Sequence, residues 1–167
     1  MNDAHLHMVV NHFPIIGTIL GLGILIAGVA FKNNSLKNTA YCLFIVGAIF
    51  AYASMSTGEG AEEIAEKLPD VTDQVIHDHE EAAEKLAIAL YILGGISIVG
   101  LYLNFKNNSK ATLISFLAVV IAVVGVFFAQ QTGTTGGEVR HTEIRTNTNQ
   151  TSIEGQNTES NEQKDND

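Results

Sequence analysis

The stretch Ala111–Ala129, ATLISFLAVVIAVVGVFFA, contains no charged residue and no proline. As a helix rising about 1.5 Å per residue it would span roughly the 30 Å hydrocarbon core of a bilayer. A soluble helix of this length shows a polar stripe where it meets water, and none is present here. The stretch reads as a transmembrane span.

Three further stretches upstream have the same character: Phe13–Phe31, about Thr39–Met55, and Leu86–Phe105. The expected fold class is therefore all-α, an integral membrane four-helix bundle built of two hairpins. Residues 1–145 would form the transmembrane domain. The polar segment 146–167 has Ile153 as its single aliphatic residue and reads as a disordered tail. The first span is not read as a secretion signal, because Met1–His12 holds Asp3 and no Lys or Arg, and the apolar run ends in Phe31-Lys32 rather than a cleavage motif.

Charge gives the sidedness. The segments Phe31–Asn38 and Asn104–Lys110 hold Lys32, Lys37, Lys106 and Lys110 and no acid. All 18 acidic residues lie in the other extramembrane segments. By the positive-inside rule the lysine segments face the cytoplasm and both termini lie outside, in a bacterial cytoplasmic membrane. Tyr41, Tyr52 and Tyr102 sit near span ends, where interfacial aromatics are expected. The two lysine turns also look alike, Phe31-Lys32-Asn33-Asn34-Ser35 beside Phe105-Lys106-Asn107-Asn108-Ser109.

Between the hairpins, Gly58 and Gly60 are expected to end the second helix, and Ala61–Leu68 to form a short acidic helix stopped by Pro69. Beyond Asp70, the residues Val75, Ile76, His79, Ala83, Leu86, Ala87 and Leu90 recur at spacings of three and four. The third span should thus project beyond the membrane as one helix. Gly17, Gly21, Gly47, Gly94, Gly95 and Gly100 offer points of close helix approach, read as ordinary bundle packing.

Composition excludes several functions. A net charge of −9 without a basic patch argues against nucleic acid as a partner. Cys42 is the only cysteine, which excludes an intrachain disulfide, a Cys-x-x-Cys-His haem attachment and a cysteine-rich metal site. No ionisable residue lies within a span, so no ion path is marked. No catalytic motif is found, and enzyme activity is left undecided.

The histidines carry what chemistry there is. His5, His7 and His12 precede the first span, His77 and His79 stand on the projecting third helix, and His141 follows the Gly-rich stretch Thr132–Gly137. If the chain start is helical, His5 and His12 share a face and His7 does not. His79 falls on the bundle-facing stripe and His77 points away. The expectation is that His12, His79 and His5 turn inward. Three roles stay open: anchoring helix ends by hydrogen bonds, holding haem or a transition metal, and sensing pH. For haem, Arg140 or Arg145 would stand near the propionates.

The segments His12-Phe13-Pro14-Ile15 after His5, Thr57-Gly58, His79-Glu80 and Thr132-Gly133…Gly136-Gly137-Glu138 occur here in this order. Together, from Met1 to about Arg145, they resemble the four-span bacterial membrane proteins of domain of unknown function 2231. That resemblance implies a four-helix membrane bundle. It also implies a place near respiratory electron transfer, since some members are fused to cytochrome c or Rieske-type modules. By position, His5, His12 and His79 would be the family's histidines. Many members carry a histidine where this chain has Thr134, so His141 would have to replace it or the site here is altered.

The functional expectation is an outer-face histidine cluster holding haem b or a transition metal in respiratory electron transfer. Its cofactor ligands would be His5, His12, His79 and His141, with Glu80 added for a metal. The alternative is a non-catalytic membrane scaffold or accessory subunit of a larger complex. The bilayer is the partner in either case, with respiratory or other membrane subunits beside it.

Overall fold

The computed structural model describes residues 2–145; the expected disordered tail lies outside them. Five α-helices and one 3-10 turn make up the described chain: α1 (Asp3–Val10), α2 (His12–Ala30), α3 (Asn34–Ala65), α4 (Asp73–Phe105), α5 (Ala111–Arg140) and the turn Thr142–Ile144. Helices α1 and α2 act as one long run with an interruption at Asn11. Pro14 explains it, because its ring nitrogen has no proton for the Val10 carbonyl one turn back. The result is an all-α bundle of four helical runs, each long and apolar enough to cross a membrane.

The order around the bundle follows the chain. Helix α2 packs on α3 and α5, α3 on α4, α4 on α5, and α1 continues along α3. The core is formed by Leu25, Tyr41, Phe44, Leu90 and Leu93 against small residues of α5. Along α5 from Ala111 to Thr132 the buried positions are Ala111, Ser115, Ala118, Ala122, Gly125, Ala129 and Thr132. Their spacing alternates four and three, the repeat of a left-handed supercoiled seam. Every one is small, so the helix backbones approach closely. The large side chains of α5, among them Leu113, Phe116, Val120, Val123 and Phe127, lie on the outside. This inverts the arrangement of a water-soluble bundle, and hydrocarbon is the solvent that suits it.

Two glycines show why close approach matters. A Cβ at Gly100 would stand 2.5 Å from the Tyr41 ring, and one at Gly21 2.5 Å from the Phe44 ring. Tyr41 is therefore not the interfacial aromatic its position suggests. It is fully buried and donates to Ser115 Oγ at 2.9 Å. Tyr52 and Tyr102 are exposed.

The sequence expectation for the middle of the chain needs correction at two points. Helix α3 does not end at Gly58 and Gly60 but continues through them to Ala65. Those glycines serve α1: a Cβ at Gly60 would meet the Asp3 carboxylate at 2.5 Å, and Gly58 faces the His7 ring. Likewise Ala61–Leu68 is not a separate acidic helix, because Ala61–Ala65 is the last part of α3; the Gly-rich stretch Thr132–Gly137 lies within α5. Helix α4 starts at Asp73, well before its apolar stretch opens at Leu86, and buries the expected stripe Val75, Ile76, Leu86, Ala87 and Leu90.

The look-alike lysine turns adopt different conformations. The left-handed residue is Lys32 in the first and Asn107 in the second. Asn33 caps α3 by accepting from Ser35 N and Leu36 N, whereas Asn108 Oδ1 accepts from Lys110 N. Lys37 belongs to the first turn of α3 and is buried against α2 at Gly28, not displayed in a loop.

Candidate functional site at the histidine end

All six histidines lie at the end of the bundle opposite the lysine turns, and two of them turn inward. His7 on α1 reaches α3: its Nδ1 lies 3.0 Å from the Ser54 carbonyl oxygen and 3.2 Å from Thr57 Oγ1. His79 on α4 reaches α5, with Nδ1 3.2 Å from Thr135 Oγ1. Glycine makes room for the His79 ring, since a Cβ at Gly136 would stand 2.9 Å from His79 Cε1; the His7 ring lies over Gly58, where a Cβ would be in ordinary contact at 4.0 Å.

The partners fix the tautomers. A carbonyl oxygen can only accept, so His7 Nδ1 must carry the proton it donates to Ser54. The Thr57 hydroxyl spends its own proton on the Ala53 or Ser54 carbonyl and is left as an acceptor. Thr135 likewise donates to the Gln131 or Thr132 carbonyl. In both residues, then, Nδ1 is protonated and Nε2 carries a lone pair. Among the described residues neither Nε2 has a hydrogen-bond partner.

Burial holds both rings below the usual imidazole range. For His7 the Ser54 carbonyl opposes the shift. For His79 the neighbouring His7 adds to it and the Thr132 carbonyl opposes it.

The residues expected as ligands are not brought together. His5 is exposed. His12 is exposed too, its Nδ1 donating to the Met8 carbonyl of its own helix at 2.8 Å. His141 is exposed beside Glu143, and Glu80 is exposed beside His77. Of the expected set only His79 faces inward. The inward histidine of the first helical run is His7, so the expectation for His5 and His12 is reversed. The helical geometry behind it holds, because His7 does lie off the face His5 and His12 share. What decides the sense is α3, whose Ser54 and Thr57 accept from the His7 ring. Among the described residues no three His, Cys, Asp or Glu side chains converge as a metal set.

Haem does not fit this end of the bundle. Two clefts open here. One is lined by Glu62, Glu66, Asp73, Gln74, His77 and Glu80, the other by residues including Asp78, Glu81, Lys85, Gln131 and Glu138. Neither is lined by His7 or His79, and their carboxylates would repel haem propionates. Desolvation, with like charge from Glu80, Glu66, Glu59 and Asp73, already raises the Glu62 carboxyl above its usual range. Arg145, a candidate propionate partner, is instead buried and donates to the backbone carbonyls of Glu138, Asp70 and Val139. It fastens the end of α5 to the α3–α4 connection. Arg140 is exposed.

Sequence reasoning missed His7, Ser54, Thr57 and Thr135. A signal for them exists in the pairing of hydroxyl residues and glycine one position apart, Thr57-Gly58 and Thr135-Gly136. A small acceptor beside a residue with no side chain is what a ring from another helix needs. Comparison of the chain with protein-family models, curated proteins and solved structures gave no match.

Proposed function

We propose that this chain is a non-catalytic accessory subunit of a larger complex in a bacterial cytoplasmic membrane. In this reading the lysine turns lie in the cytoplasm, and the histidine end and both termini lie outside. One observation carries it: the side chains with chemical potential at the histidine end close the fold. His7, His79 and Arg145 bond α3, α5 and the α3–α4 connection, and no open cavity gathers them. What this end shows to a partner is an acidic surface of α3 and α4, with Glu59, Glu63, Glu66, Asp73, Glu80, Glu81 and Glu84 exposed. The resemblance to domain of unknown function 2231 supports a site of action beside respiratory electron carriers.

The test is native electrophoresis of mildly solubilised membranes with an absorption spectrum of the purified chain. The reading expects migration in an assembly well above the 17.9 kDa of the chain. Reversing charge at Glu63→Lys with Glu66→Lys should disperse that assembly, and the purified chain should show no Soret band. Migration as a free chain, or a Soret band whose redox change tracks turnover of the membrane, would overturn it.

A further inference from the structure

The second cleft at the histidine end, between α4 and α5, holds a charge that bundle closure does not use. Glu138 lies on its wall and is only 8% exposed. The Glu138 backbone carbonyl accepts from Arg145 Nε. Among the described residues its carboxylate has neither a hydrogen-bond donor nor an ion-pair partner. A carboxylate withdrawn this far from water is normally paired, because burial without a counter-charge is costly. Two further carboxylates line the cleft, each with one oxygen unused. Asp78 Oδ1 accepts from Gln74 Nε2 at 2.6 Å, and Glu81 Oε1 from Lys85 Nζ at 3.0 Å. Lys85 is the one cation on the wall, so three carboxylates against one ammonium leave two negative charges. The neighbouring cleft has acids too, but those at Glu66, Asp73 and Glu80 are exposed and need no partner.

We propose that this cleft binds an aliphatic diamine, one ammonium on Glu138 and Asp78 and the other on Glu81. The register of the helices spaces the acids. His79 bonds Thr135, and Thr132 Oγ1 donates to the Ala82 carbonyl at 2.9 Å, so Asp78 and Glu138 lie toward the same end of the cleft. Glu81 stands three residues, about 4.5 Å along the axis, nearer the apolar stretch of α4. Among the described residues no three acidic or histidine side chains converge to hold a metal ion. The surplus charge therefore suits two cationic groups held apart by a short chain. The cleft volume of about 520 Å3 falls within the roughly 300–1,000 Å3 of small-molecule sites. On its wall the exposed Phe127 ring offers an apolar surface to methylene groups. An amine on a lipid headgroup does not reach Glu138. That residue lies nine residues, about 13 Å of helix, beyond Ala129 where the apolar stretch ends. The headgroup layer is only roughly 5–7 Å deep on each side of the bilayer. The site goes beyond the accessory-subunit reading and does not require it, since a free chain should bind the diamine.

The test is equilibrium dialysis of radiolabelled putrescine against the full chain in a non-ionic detergent. One saturable site is expected. Butylamine, with a single ammonium, should bind at least about tenfold more weakly, and equimolar Mg2+ should not displace putrescine. Glu138→Gln should weaken binding at least about tenfold, whereas Glu66→Gln in the neighbouring cleft should leave it unchanged. Location is read separately from those variants. In a Cys42→Ser background, putrescine should protect Thr134→Cys from a maleimide and leave Gln74→Cys, in the neighbouring cleft, open to it. No saturable binding, equal binding of butylamine, or displacement by Mg2+ or by phosphatidylethanolamine would overturn the site. So would an equal loss in Glu66→Gln, or protection of Gln74→Cys alone.

Discussion

The two ends of the bundle are tied by the same device built from different chemistry. At the lysine end Tyr41 donates to Ser115 at 2.9 Å and Asn104 to Asn38 at 2.9 Å. At the histidine end His7 bonds Ser54, His79 bonds Thr135, and Arg145 holds three carbonyls. One end is joined by groups that stay neutral across the physiological range, the other by groups that titrate or carry charge. Packing differs in parallel. Gly100 lies under the fully buried Tyr41 ring, whereas Gly136 lies under a half-buried His79. The lysine end should therefore be rigid and indifferent to pH, and the histidine end responsive to it.

The largest break in that contrast is Gly100→Val. Its Cβ would stand 2.5 Å from a ring that cannot move without losing Ser115. We expect a loss of about 3 kcal/mol, at the high end of overpacking costs. Gly136→Ala should cost less, about 1 kcal/mol, because the His79 ring can give. Thermal unfolding of both variants in detergent checks the order. Next comes Arg145→Met, which removes the buried donor from three carbonyls and should cost about 2 kcal/mol. It should also raise proteolysis between Leu68 and Thr72, since the Asp70 carbonyl is one of those released.

A smaller effect sharpens the comparison through pH. His7 and His79 sit below the usual imidazole value of 6.5 when folded. Above that value both states are neutral and stability does not change on their account. As pH falls through it, the unfolded chain takes up protons and the folded chain does not, so stability falls. The loss levels off once pH passes below the folded values. Glu62 has the opposite sign, its raised carboxyl making the folded state the better proton acceptor as pH falls, in a window above its usual 4.5. Unfolding midpoints measured from pH 7.5 downward should therefore drop through the histidine window, and His79→Gln should flatten the drop. The smallest effect is Tyr41→Phe at the lysine end, about 0.6 kcal/mol, typical of a polar bond between membrane helices, with no pH dependence.

These contrasts mark what was legible in the sequence. The four apolar stretches lack charge so completely that the helical runs, their order and the lone cysteine's irrelevance to cross-linking could be read directly. The inward stripe of α4, His79 included, followed from helical periodicity. Periodicity alone does not say which face of a short helix meets its neighbour, and so it points to His5 and His12 for the inward side of α1 where α3 selects His7. Glycine misled for a related reason. At Gly58 and Gly60 it signals either a helix end or a contact with another helix. Here α3 continues through both. The resemblance pointed to His5 and His12 as well, and it cannot show which ring a neighbouring carbonyl accepts from.

The central claim is that His7 and His79 turn into the bundle, toward α3 and α5, while His5 and His12 stay exposed. Single cysteines placed by His5→Cys, His7→Cys, His12→Cys and Lys106→Cys, in a Cys42→Ser background, can be labelled in intact cells with a membrane-impermeant maleimide. The account predicts rapid labelling at position 5, slow labelling at position 7, and labelling at position 106 only after the membrane is opened. Rapid labelling at position 7 with protection at position 5, or at position 106 in intact cells, would contradict it.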